Sequence, residues 1–164
     1  MSTSAQSPVA GNGETLPTRP VLSSVRQRRA ELLESMAAVN RALAAPATGR
    51  EDAWLAGVDF ALLELSEDVR EHISVTEAPG GLHQSVMQTA PRLSHAVEQL
   101  SREHVTIKDE IAILLAQTGD PDCAERVDDI RDRATTLLAT IARHQQRGAD
   151  LIYEAYESDI GGET

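Results

Sequence analysis

"IRDRATTLLATIARHQQRGADLIYEAY", residues 130–156, decides the fold of this chain. Ile130, Ala134, Leu137, Ile141, His144, Gly148, Leu151 and Ala155 recur at steps of three and four residues, with charged and polar residues between them. That period lays one apolar stripe along a long helix, the pattern of a helix seated in a bundle. The stripe begins upstream at Val127, and the helix is expected over about 122–157. One histidine interrupts it.

The same reading extends outward. Breaks rich in Pro and Gly fall near Pro20, at "APATG" 45–49, at "APGG" 78–81 and at "TGDP" 118–121. Between them lie three more long stretches with helical periodicity and none with the alternation of a strand. A first helix over about 20–44 carries Val25, Leu32, Met36, Val39 and Leu43, interrupted by Arg29. A second, over about 51–76, carries Leu55, Val58, Leu62, Leu65, Val69, His72 and Thr76. A third has a short lead at 82–89 and a main body from Pro91 to about 117, because Pro91 lacks the amide hydrogen a continuous helix needs. Its stripe is Leu93, Val97, Leu100, His104, Ile107, Ile111 and Leu114. Four long helices with short connections predict an all-α, antiparallel up-down-up-down four-helix bundle over 20–160. Residues 1–19, rich in Ser, Thr, Gly and Pro, read as a disordered leader, and 161–164 as a short tail after a glycine stop.

Composition agrees. Hydrophobic residues make up 41% of the 164 but aromatics only 2%, so aliphatic side chains must fill the core. The net charge is −11 and uneven: residues 1–50 hold 6 Arg against 3 acids, and the remainder 9 basic against 23 acidic residues. Such a surface repels phosphate backbones, so nucleic acid is not an expected partner. The "RQRR" run, Arg26 to Arg29, reads as a solvated face or as a contact for a protein partner. No apolar run reaches the ~18–20 residues that span a bilayer. A lone cysteine, Cys123, forms no internal disulfide, which suits a reducing cytoplasm. No nucleophile elbow, His-Glu-x-x-His or phosphate-binding loop is present, so hydrolytic chemistry is not expected.

The chemistry concentrates in the seams. His72, His104 and His144 each fall in an otherwise nearly aliphatic stripe, one per helix. An imidazole isolated in an apolar core costs ~1–3 kcal/mol without a partner. Two readings follow: a polar core layer satisfied by neighbouring groups, or a shared cation. His95 falls on a polar face and is expected at the surface, whereas His83 could cap, face solvent or face the bundle end. Gly148, one turn after His144, either permits a close helix approach or leaves room for a ligand or water. Arg147, Asp150 and Glu154 suggest an exposed ion-pair network, and Tyr153 and Tyr156 are expected to pack at the bundle end.

Three segments resemble the hemerythrin-like, cation-binding (HHE) family: "VREHISVTE" 69–77, "PRLSHAVEQLSREH" 91–104 and "LLATIARHQQRGADLIYEAY" 137–156. Members are four-helix bundles with a non-haem di-iron site, used in oxygen carriage, oxygen or redox sensing, or iron handling. The resemblance implies iron, one or two ions, on His72, His104 and His144, with Glu77 completing the sphere and a diatomic ligand or peroxide at any open position. The family also places a histidine on its first helix and carboxylates a turn after two of the others. Here the first helix has none, Thr76 follows His72 by four residues, and Gly148 follows His144 by four. The alternative is therefore a metal-free bundle of the same fold acting as an interaction or regulatory module.

Overall fold

The computed structural model describes residues 19–157 and contains no strand among them. Four long helices, α1 (Arg19–Ala44), α2 (Glu51–Glu77), α4 (Ser94–Thr118) and α5 (Val127–Tyr156), form the body, and a short α3 (Leu82–Thr89) precedes α4. The expected leader and the 161–164 tail lie outside the described residues. Each long helix packs on the next in the chain, and α5 packs back on α1, so the four enclose a common core.

Local chemistry sets the boundaries. Gly49 takes the left-handed conformation (φ 73°) before α2, whose first turn carries Glu51 and Asp52 against the helix dipole. The α2–α3 turn needs both glycines: Gly80 is left-handed (φ 78°), and a Cβ on Gly81 would sit 2.8–2.9 Å from the carbonyl oxygens of Ala78, Thr76 and Val75. Pro91 opens a single 3₁₀ turn, Pro91–Leu93, that separates α3 from α4 as its missing amide requires. The last helix starts later than the expected residue 122. Pro121–Arg126 is 3₁₀, held by the Asp120 carboxylate accepting from the Asp122 amide at 3.0 Å.

The seams predicted by periodicity are the buried faces. From α2 these are Leu55, Val58, Leu62, Leu65 and Val69; from α4 Val97, Leu100, Ile107, Ile111 and Leu114; from α5 Ile130, Ala134, Leu137, Ile141, Leu151 and Ala155. Each fully buried Leu or Ile stabilises the fold by roughly 1.5–3 kcal/mol relative to exposure. The apolar core is not continuous. One cluster runs from Leu32, Val39 and Leu43 through the α2 seam to Ile107, Ile111, Leu114 and Ile141. A second joins Val25, Leu82, Val86, Val97, Leu100, Leu151 and Ala155. The level between them is polar.

Candidate metal centre

The polar level is set by helix register. His72 follows Val69 by three residues, His104 lies between Leu100 and Ile107, and His144 follows Ile141 by three. On α1 the residue between Val25 and Leu32 is Arg29, half-buried. Three helices thus contribute an imidazole and the fourth a guanidinium.

The three rings meet. His72, His104 and His144 each offer a nitrogen within 4.8 Å of the others. The ring centroids are 5.3 Å apart for His72 and His104, 5.5 Å for His72 and His144, and 4.6 Å for His104 and His144. His72 Nε2 and His144 Nε2 stand 3.3 Å apart. His83, left open by its place at a helix start, is buried at 5% exposure and stacks on His104, with centroids 5.7 Å apart and planes within 7°. Its Nδ1 is 3.2 Å from Ser101 Oγ. His95 is exposed, as its polar face implies.

Carboxylates stand behind two of the rings. Glu77 Oε1 lies 2.5 Å from His104 Nδ1, and Glu103 Oε2 lies 2.9 Å from His144 Nδ1. Each carboxylate accepts from an Nδ1–H, which fixes that tautomer and turns the Nε2 lone pair inward. His72 Nε2 then donates to His144 Nε2. His104 Nε2 and His72 Nδ1 remain buried and without a partner among the described residues. Glu77, partly exposed, therefore touches the outer side of His104, and the cluster of converging ligand atoms consists of the three imidazoles. Arg147 pairs with Glu103 across the helix interface rather than with Asp150, which accepts from Gln146 at 2.9 Å. At the bundle end Tyr156 donates to Ser85 Oγ at 2.9 Å, whereas Tyr153 is exposed.

Burial sets the charge state. Desolvation lowers the pKa of His72 to about 4, with the neighbouring His144, His83 and Arg29 adding to it. His83 falls to about 4 and His104 to about 2 for the same leading reason. His144 is lowered by burial, against which Glu103 acts in the opposite sense. The four rings are neutral at pH 7, the state in which imidazole ligates metal.

Sequence periodicity brings out His72, His104 and His144 but not Glu103, whose role depends on facing His144 from another helix. Gly148 resolves one alternative: a Cβ there would meet nothing within 4 Å, so the glycine admits no neighbouring helix and leaves open space. No helix among the described residues is long and apolar enough to cross a membrane. Comparison with protein-family models, with curated proteins and with solved structures returns no match to this chain.

Proposed function

We propose that this chain is a hemerythrin-like antiparallel bundle that holds a single metal ion, iron by preference, on His72, His104 and His144, for oxygen or redox sensing or iron handling. The observation that carries the reading is convergence: three neutral imidazoles from three helices share one buried level, and two of their nitrogens lack any partner. Leaving a buried acceptor unpaired costs about 1–3 kcal/mol, and ligation through His104 Nε2 removes that cost there.

The donor set fits an ion. Two nitrogens bound to one ion at about 2.1 Å lie roughly 3.0 Å apart when adjacent and 4.2 Å when opposite. The 3.3 Å pair has the spacing of adjacent ligands, and the 4.8 Å outer limit would close by about half an ångström. The Glu77 and Glu103 carboxylates do for His104 and His144 what outer partners do at histidine metal sites: they fix the tautomer and raise ligand basicity. Because both carboxylates are engaged behind imidazoles, they do not bridge, and one ion rather than two is the expected content. Imidazole ligands suit iron and zinc alike, and iron rests on the family resemblance. A three-histidine ion would supply an open coordination position for a diatomic ligand or peroxide.

The metal-free alternative draws on Arg29, a cation on the first helix, where the family places a histidine. Metal analysis by mass spectrometry with a visible spectrum, on protein from iron-supplemented cells, separates the two. One ion per chain is expected, lost in His104→Ala and retained in His95→Ala. A well-folded protein without metal would overturn the proposal and leave the histidines as a polar core layer.

A further inference from the structure

The polar level is not filled. A cavity of about 140 Å³ lies against it, lined by His72, His104 and His144 together with Val25, Leu82, Leu100 and Ile152. Engineered cavities of about 150 Å³ accommodate a benzene-sized molecule. Two further residues line it and carry unmet hydrogen-bonding capacity. Gln145 is 5% exposed, and its Nε2 is buried with no partner among the described residues. Arg29, half-buried, makes no hydrogen bond or ion pair among the described residues, although Arg28 beside it pairs with Glu31 at 2.8 Å. The buried Gln145 amide is a desolvated donor, and such a donor costs free energy until an acceptor arrives.

We infer that this cavity binds a small organic monocarboxylate, with its carboxylate on the Arg29 guanidinium and Gln145 Nε2 and its short hydrocarbon tail against Val25, Leu82, Leu100 and Ile152. A guanidinium matches a carboxylate in a two-pronged hydrogen bond, and the buried amide supplies a further donor. One cation balances one negative charge. A dianion such as phosphate meets too few donors and faces the inward lone pair of His104 Nε2. Gly148 also lines the cavity, and its missing side chain contributes to the room. The inference stands whether or not the histidines hold an ion.

Isothermal titration with sodium butyrate and with neutral butyramide, on the full chain before and after chelator treatment, tests it. One butyrate per chain should bind in both preparations, and butyramide at least about tenfold more weakly, the loss expected for a charge-assisted hydrogen bond. Arg29→Gln should weaken butyrate by a similar factor, Gln145→Leu by less, and Arg28→Gln not at all. Equal binding of the two probes, no binding of either, or equal loss in the Arg28 and Arg29 variants would overturn the assignment. So would butyrate binding that vanishes with the metal and ignores Arg29→Gln, since the carboxylate would then sit on the ion. A chain found to lack metal but binding butyrate through Arg29 would sink only the metal reading.

Discussion

The two apolar clusters of this bundle are built differently. The larger, seventeen buried residues from Leu32 to Ile141, draws on the seams of all four long helices. The smaller has eight, and α2 gives it no buried member; Leu82 and Val86 of the short α3 stand in its place. Between the two, the seam register continues unbroken while its chemistry changes from aliphatic to imidazole and guanidinium. The larger cluster explains why the chain folds. The level beside the smaller one, with buried nitrogens unpaired among the described residues and a cavity, is unfavourable for folding, and the proposed binding would account for it. Stability and binding are therefore separable, and three perturbations should separate them.

Acid should have the largest effect. In the unfolded chain histidine takes a proton near pH 6.5, while His72 and His83 in the folded metal-free protein do so only near 4 and His104 near 2. At pH 7 both states are neutral and nothing is lost. As pH falls through 6.5 the unfolded state gains protons that the folded state refuses, so stability declines by up to about 1.4 kcal/mol per pH unit for each histidine until its folded pKa is reached. Urea unfolding of chelated protein at pH 7, 6 and 5 should show several kcal/mol lost. His72→Leu should make the slope shallower by about one proton. An unchanged slope in that variant would mean that the decline arises elsewhere than in the polar level.

Removing a carboxylate behind the proposed ligands should cost less. Glu103→Gln keeps the shape but weakens the acceptor facing His144 Nδ1–H. Metal affinity, measured by chelator competition at pH 7, should drop by about 10–100-fold, the usual consequence of losing an outer partner. The larger cluster is untouched, so far-ultraviolet dichroism should stay the same. Affinity indifferent to the change would remove Glu103 from the site.

Seam and break were legible in the residues because both are local. A three-four stripe fixes which face of a helix is buried, and Pro91, Gly80 and Gly81 fix where chains turn, so the level shared by His72, His104 and His144 follows from counting. What the residues did not reveal depends on which helix faces which. His83 is buried where α3 meets α4, stacked on His104 and beside Ser101. Glu103 serves His144 because α4 lies beside α5, and the same contact draws Arg147 away from the Asp150 pairing that its own helix suggested. Arg29 was visible as a break in the first stripe, but its cavity exists only in three dimensions.

Two mid-helix glycines give the smallest and most discriminating comparison. Gly57, exposed on α2 over the larger cluster, and Gly148, on α5 at the cavity, both have free space where a Cβ would stand. Alanine loses less conformational entropy on entering a helix, so each Gly→Ala substitution should stabilise by about 0.4–1 kcal/mol. For a domain near this size that corresponds to a rise in Tm of roughly 1–4 °C. The gains should be alike, because neither methyl group meets an obstacle. Ligand binding should part them: the Gly148→Ala methyl enters the cavity and should lower butyrate affinity several-fold, while Gly57→Ala leaves it unchanged. Equal affinity in the two variants would mean that the room at Gly148 is not used by the ligand, and the tail would then have to lie wholly against Val25 and Leu82.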